Sequence, residues 1–301
     1  MVRAGKRRPG CRTTAGERVF YAANTMLMVL LMVAMLYPFW HIVMYSLSDP
    51  ALSATGGAFL VPRGFTLDSY KFVFSYNSVG NGFKVSLFVT IVGTALSVFC
   101  TAALAYSLSK RKLRGRNFLT MLIFFTMIFS GGMVPSFILV RQLKLFNTVW
   151  ALILPGLMNA WNFFIARNFF ASLPESLEES AKIDGATDLA VFFKIALPLS
   201  KAMLSVIGLF VAVGYWNDYF STVLYIVDFD KWSLQATLRQ LIGNTLQAMQ
   251  QAGINYVNLE GVTSQSVIMT TIVVVTVPII VVYPFLQKYF VKGVMVGSLK
   301  G

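Results

Sequence analysis

Residues 175–200, ESLEESAKIDGATDLAVFFKIALPLS, hold five carboxylates, Glu175, Glu178, Glu179, Asp184 and Asp188, of the twelve in a 301-residue chain. Such a density invites a search for catalytic machinery, and the search returns absences. The sequence has no G-x-x-x-x-G-K-[ST] phosphate loop, no H-E-x-x-H, no C-x-x-C and no G-x-S-x-G nucleophile elbow. A membrane-embedded enzyme needs several titratable residues at one depth, and the apolar stretches do not supply them. What remains is non-covalent chemistry. Asn159, Trp161 and Asn162 in LMNAWNFF, and Tyr215, Trp216, Asn217 and Asp218 in GYWNDYF, are polar or aromatic groups set in apolar sequence. Amides hydrogen-bond hydroxyls without a net charge, and indole or phenol rings stack on apolar ring faces. Polar residues in such places face a cavity or a neighbouring helix. Asparagines also join helices, and Trp and Tyr also form interfacial belts, so lining and packing both stay open.

The elements that must position these groups are set by composition. With 56% hydrophobic and only 12% charged residues, the chain is far more apolar than a soluble domain, where about 25% charged is usual. Apolar stretches run from Val19 to Ser48, Val85 to Ser109, Asn117 to Val140, Leu145 to Ala166, Ala202 to Val227 (broken only by Asp218) and Gly261 to Gln287. Each is long enough to cross a hydrocarbon core of about 30 Å as a helix. Backbone in lipid must satisfy its own hydrogen bonds, so the expected fold is all-α, a bundle of six transmembrane helices. Asp218 falls about two thirds of the way along the fifth span at ~1.5 Å per residue, a depth that favours a cavity-facing carboxylate. In the third span, Gly131 and Gly132 precede Pro135 in SGGMVPSF, a combination that suits either a hinge or a static kink.

Arg3, Lys6, Arg7, Arg8 and Arg12 precede the first span, which is longer than the apolar core of a signal peptide and reads as a retained anchor. Positive loops stay cytoplasmic. The tail, the KRKLRGR turn after span two, the segment between spans four and five, and the C-terminus together hold 18 of the 25 Lys and Arg residues. Both termini and the acidic passage are therefore expected inside. The net charge of +13 fits topology and anionic headgroups better than nucleic acid. Cys11 and Cys100 are too far apart for a disulfide, and His41, late in the first span, reads as a packing residue.

SLPE at Ser172–Glu175 has the form of a capping box, with Pro174 tolerated in the first turn. A short helix should follow through ESLEESAKID, supported by a Glu178–Lys182 pair and stopped by Gly185. Thr187 or Asp188 should cap the next helix, and Pro198 should mark a bend. From spacing alone, this helix-turn-helix with Leu177, Ser180, Ala181 and Asp184 on one face suits either rest on the headgroups or close approach of another backbone. Two further stretches lie on the opposite side. Residues 49–81 are turn-rich, and in residues 228–260 Leu234, Leu238, Leu241 and Leu246 suggest a helix with one apolar side, serving as a docking surface, a lid on the bundle, or both.

EESAKIDGA, followed nine residues after Ala186 by IALP, resembles the EAA loop of type I ABC importer permeases. In that family the loop is a coupling helix seated in a groove of a cytoplasmic ATPase. Glu179, Ser180 and Ala181 stand at the E-A-A positions, Asp184, Gly185 and Ala186 at the D-G-A, and Ile195, Leu197 and Pro198 at the I-x-L-P. Ser180 departs from the commoner alanine, a small-for-small change. FSGGMVPSFILVRQLKLFNTVWALILPGLMNAWNFFIARNFF, AVGYWNDYFSTVLYI and KGVMVGSLKG extend the likeness to the carbohydrate-importing branch, and within it to the subgroup for oligosaccharides cut from polysaccharides such as alginate or pectin. The resemblance implies a basic tail (1–18), a permease domain (19–290) with a coupling loop (172–198), and a C-terminal tail (291–301). It implies ATPase coupling through Glu178, Glu179, Ser180, Ala181, Asp184, Gly185 and Ala186. It also implies a second permease, two ATPase subunits that carry ATP and Mg, an extracytoplasmic solute-binding protein, and a bacterial plasma-membrane location. This chain would then bind no cofactor and hydrolyse nothing itself. Asn159, Trp161, Asn162 and Tyr215–Asp218 suit a transient saccharide path, and Arg63, Lys71, Arg141, Lys144, Lys231 and Arg239 on the outer side would favour an acidic uronate. The alternative is a secondary transporter driven by an ion gradient, which should show inverted repeats and more intramembrane ionisable groups than Asp218.

Overall fold

A computed structural model describes residues 15–53, 56–75, 77–252, 258–259 and 262–298. Most of the basic tail, Cys11, residues 253–257 and 260 of the outer stretch, and the last three residues lie outside the described residues. α1 (Ala15–Ser46) leads through the short α2 (Pro50–Ser53) and α3 (Asp68–Ser75) into α4 (Asn77–Ser109). α5 (Arg116–Ile128) and α6 (Met133–Gln142) follow. A 3-10 turn at Val149–Leu152 precedes α7 (Ala160–Ala171), then α8 (Glu175–Ile183), α9 (Asp188–Val191), a π-helical turn at Phe192–Ala196, α10 (Leu197–Leu199) and α11 (Lys201–Asn217). α12 (Phe220–Tyr225), a 3-10 turn at Phe229–Lys231, α13 (Leu234–Ala252), a small antiparallel pairing of Asn258–Leu259 with Val262–Thr263, and α14 (Ser264–Ser298) complete the order.

The protein is helical, as its composition requires, but its spans are of two kinds. Among the described residues, α1, α4 and α14 are continuous helices long and apolar enough to cross a membrane, and α14 runs on without a break into the expected C-terminal tail. The fifth stretch breaks where α11 ends at Asn217 and α12 starts at Phe220, and Lys201–Asn217 meets the preceding Asp188–Leu199 at a 79° corner. Pro198 lies just before that corner, close to where the sequence put the bend.

The third and fourth stretches are broken too, the third where a hinge or a kink was expected and the fourth where a continuous helix was. In the third, Phe129 is extended and Gly132 takes φ 85° and ψ 173°, a conformation closed to residues with a Cβ, so the helix stops and restarts. Pro135 does not make this break. It sits in the first turn of α6, where a missing N–H costs nothing. The fourth stretch is helical only from Ala160. Lys144 and Asn147 take positive φ, and turns continue through Pro155 and Gly156 until Asn159 opens α7. Irregular backbone at this depth is tolerable because the protein satisfies it. Asn147 N–H donates to the Tyr225 carbonyl at 2.9 Å, and the Ile153 carbonyl accepts from Tyr215 Oη at 3.0 Å.

α4 is the hub, with α7, α11 and α13 packed along it, while α14 packs against α1, α11 and α13. α4 and α11 approach closely because position 93 is glycine. A Cβ there would lie 2.8 Å from the Tyr215 ring, inside any van der Waals contact. Ala102, Ala105, Phe163, Ala166 and Ile207 fill the core towards the C-terminal end of α4, and Val79, Trp216, Leu234, Leu238 and Val267 fill it towards the N-terminal end. These ends carry the two other surfaces that matter. α8 meets Tyr106 and Lys110, whereas α13 meets Gly82 and Ser86, with Leu234 N–H donating to Ser86 Oγ at 2.8 Å. About twenty residues of α4 separate the two contacts, roughly 30 Å of helix rise. The basic turn 110–116 therefore shares the α8 end.

Candidate functional site

α8 begins without a side-chain cap. Ser172 was expected to cap it, but α7 runs to Ala171 and its last turn claims Ser172, whose Oγ donates to the Phe169 carbonyl at 2.7 Å. Pro174, with extended φ and ψ, takes the N-cap position instead. The other end follows the sequence reading closely. Gly185 adopts φ 81°, its N–H donates to the Lys182 carbonyl at 3.0 Å, and Ala186 N–H reaches back to the Ala181 carbonyl at 2.9 Å. That pair of bonds is a Schellman motif, and it needs a residue free of Cβ strain at position 185. Thr187 then caps α9 by accepting from Ala190 N–H at 3.3 Å.

The expected Glu178–Lys182 pair is replaced by two others. Glu178 accepts from Lys110 and, at 3.4 Å, from Tyr106 Oη, while Lys110 also sits 4.0 Å over the Tyr106 ring. Lys182 pairs with Asp188 across the Gly185 turn at 2.7 Å. The tertiary partner wins at Glu178 because α4 delivers a cation to a site where the carboxylate is largely shielded, and an i,i+4 pair on an open helix face is worth only a few tenths of a kcal/mol. Hydrogen bonding to Lys182 holds the Asp188 carboxyl below the usual carboxylate range, and the same bond holds the Lys182 ammonium above its ordinary value.

The result is a short helix fixed at its root and bare at its surface. Glu179, Ser180, Asp184 and Gly185 are exposed, and Ala181 and Ala186 partly so. Ile183 is 85% exposed and Leu189 70%. Neither was singled out from the sequence, and neither was the Lys110–Tyr106 anchor. Ile183 had a signal of its own, an apolar side chain between Lys182 and Asp184 on the face that Glu179 shares.

The polar groups of the fourth and fifth stretches divide into two classes. Asn162, Tyr215 and Trp216 are buried. Tyr215 is held by Gly93 and the Ile153 carbonyl, and Trp216 Nε1 donates to the Val275 carbonyl at 3.4 Å while the ring edge meets Phe83. Asn159 is spent on local structure, its Oδ1 accepting from Asn162 N–H at 3.1 Å to open α7. Asp218 plays the same part for α12, accepting from Ser221 N–H at 3.0 Å. Trp161, 63% exposed, and Asn217 present open surface. Tyr215 brings the fifth stretch against the turns before α7. Among the described residues, no hydrogen bond or ring contact joins Asn159 or Trp161 to Asn217. At the α5–α6 link, a Cβ added to Gly131 or Gly132 would meet nothing within 4 Å, so the break lies in open space.

Comparison with known proteins follows this geometry. Residues 83–296 match the family described as binding-protein-dependent transport system inner membrane component. The chain is 45% identical over 297 residues to Protein LplC of Bacillus subtilis (strain 168), covering 96% of this chain and 97% of that one. It is also 45% identical over 267 residues to the polygalacturonan/rhamnogalacturonan transport system permease protein YtcP of the same organism, covering 88% and 92%. Among solved structures, it superposes with a TM-score of 0.83 and 30% identity on a chain in the crystal structure of a bacterial ABC transporter involved in the import of the acidic polysaccharide alginate, covering 93% of this chain and 100% of that chain. A bundle hubbed on α4, with an EAA-like helix exposed at one end and most of the sequence matched, identifies the chain as a member of the binding-protein-dependent transport system inner membrane components, the permease subunits of ABC importers.

Proposed function

We propose that this permease moves an acidic oligosaccharide, a fragment of a uronate-bearing polysaccharide, from a solute-binding protein into the cytoplasm, and that separate ATPase subunits power it. The observation that carries the reading is α8. An EAA-like helix locked to α4 by Glu178 and Lys110, yet bare at Ile183 and followed by an α9 bare at Leu189, is built to receive a partner and to pass its movement into the bundle. The basic turn 110–116 lies at the same end and supports placing that end, and both termini, in the cytoplasm. ATP and Mg then belong to the partner subunits, a second permease completes the pore, and the α13 end faces the binding protein. The names of YtcP and of the alginate importer support an acidic cargo. Within the path, Trp161 and Asn217 offer surface to a passing sugar, Asn162, Tyr215 and Trp216 hold its wall, Asn159 and Asp218 fix the helix starts beside it, and Gly131–Gly132 supplies a gate hinge.

Glu179→Lys and Gly185→Asp test the coupling. Each should cut oligosaccharide-stimulated ATP hydrolysis by the assembled transporter more than about tenfold, with the chain still present in the membrane at normal amounts. Normal coupling in either variant removes the proposal. Uptake driven by a proton or sodium gradient without ATP assigns the chain instead to secondary transport.

A further inference from the structure

Arg239 projects from α13 on the side away from its buried leucines, and its guanidinium lies 4.1 Å from the centre of the Tyr219 ring. Gln235, one turn earlier on the same face, donates Nε2 to Asn217 Oδ1 at 3.3 Å. Asn217 Nδ2 donates to the Val213 carbonyl at 3.0 Å, which fixes the direction of its amide. Arg239 and Asn217 are exposed, with Tyr219 and Gln235 half-buried beside them. Among the described residues no carboxylate lies within ion-pair distance of Arg239. Asp218, its neighbour through Tyr219, is committed to the Ser221 N–H. Three other basic groups on the outer side are engaged, while Lys84, Arg141 and Lys144 make no ion pair among the described residues. Lys71 and Lys231 are paired with Asp68 and Asp228, and Arg63 is stacked on Phe59 and bonded to the Gly56 carbonyl.

We propose that Arg239, Tyr219, Asn217 and Gln235 form a receiving site for the carboxylate of a uronic acid residue, at the point where the fifth span breaks. The proposal rests on the reading of the chain as a permease for acidic oligosaccharides and names where that acidity is recognised. A guanidinium offers a planar fork that accepts a carboxylate through two parallel hydrogen bonds, which an ammonium cannot do. The Tyr219 ring beneath it holds the fork in one plane before the ligand arrives, so less freedom is lost on binding. The Asn217 and Gln235 amides, already oriented by each other, stand where the ring hydroxyls next to that carboxylate would fall. The site is open to water and uncharged apart from Arg239, so it can hold a uronate briefly and release it, as a transit point must.

The test uses the assembled transporter, reconstituted with its binding protein, supplied with oligouronates from partial hydrolysis of polygalacturonan and of alginate and with their carboxyl-reduced counterparts. Arg239→Gln should lower oligouronate uptake about tenfold, the loss expected when a charge-assisted pair is removed, with the complex assembled at wild-type amounts. Arg239→Lys should recover only part of the loss. Tyr219→Phe, which keeps the ring, should behave as wild type, whereas Tyr219→Leu should fall towards Arg239→Gln. Full uptake by Arg239→Gln overturns the proposal, as does a loss matched by an equal drop in assembled complex, which marks a structural role. Wild-type transport of the reduced sugars in preference to the oligouronates overturns both the site and the acidic cargo and leaves the permease assignment standing. Failure of every saccharide to stimulate transport overturns both.

Discussion

α8 and α13 are amphipathic helices at opposite ends of α4, and they treat their apolar side chains in opposite ways. α13 spends three of its leucines on this chain: Leu234, Leu238 and Leu241 are buried with Val79, Trp216 and Val267, and Leu246 alone of the four is exposed. α8 and α9 leave Ile183 and Leu189 uncovered and are tied down by charge. A helix that closes its own core contributes to the stability of the chain, and a helix that does not contributes to association. The contrast separates a part of the bundle's own core from a helix that, on the proposed function, a partner grips.

The sharpest way to break that contrast is a pair of truncations. Leu238→Ala should destabilise the chain by about 2–4 kcal/mol, read as a lower unfolding midpoint, because it empties buried volume. Ile183→Ala should leave the chain's own stability within about 0.5 kcal/mol and show itself only as weaker ATPase coupling. Equal costs would erase the distinction. A backbone version comes next. Gly82→Val places a Cβ 3.1 Å from Leu234 Cα and should cost about 1–3 kcal/mol by pushing α13 away. Gly185→Ala meets nothing within 4 Å, and its positive φ alone should cost about 1 kcal/mol.

How far these surfaces could be read from sequence depended on where each residue finds its partner. The stop at Gly185, the cap at Thr187 and the apolar side of α13 at Leu234, Leu238 and Leu241 were legible because their causes lie within a few residues, whereas Leu246, expected on that side, is exposed. The fourth stretch was not, since apolar composition permits a helix without demanding one. There Pro155–Gly156 and the distant acceptors and donors of Tyr215 and Tyr225 select turns instead. Glu178 was assigned to Lys182, four residues on, when its partner Lys110 lies 68 positions away, a pairing no local rule can anticipate. The polar residues of GYWNDYF were correctly picked out as unusual, but their spacing could not tell Tyr215, buried against Gly93, from Asn217, which stays open.

The remaining predictions sharpen the electrostatic side of the comparison. Lys110→Ala leaves the shielded Glu178 carboxylate without its cation and should cost about 1–2 kcal/mol, less than for a deeply buried pair because both side chains keep some solvent. Adding Glu178→Gln should restore part of that, and a double variant no better than the single would show that the pair does not anchor α8. The Lys182–Asp188 pair is more exposed and its effect smaller. Asp188 titrates lower in the folded protein, so its contribution is present above the unfolded value of about 3.9 and fades as pH falls through the folded one. Lys182 titrates higher, so its share is present below about 10.4 and fades as pH rises through the folded value. The difference in unfolding midpoint between wild type and Asp188→Asn should therefore be flat from about pH 5 to 9 and shrink below about pH 4. A difference undiminished at about pH 2 would remove the pair as its source.

The missing side chain at Gly93 reaches beyond packing. With the Tyr215 ring filling the space that a side chain at 93 would take, α4 and α11 cannot slide past each other here without a collision, so under the proposed function the two would swing as a single lever. The pivots then fall where the backbone already bends, at the corner beside Ser200 and the step at Asp218. On the proposed function, a tug on the exposed acidic helix would arrive at the far end of the molecule as rotation about these pivots.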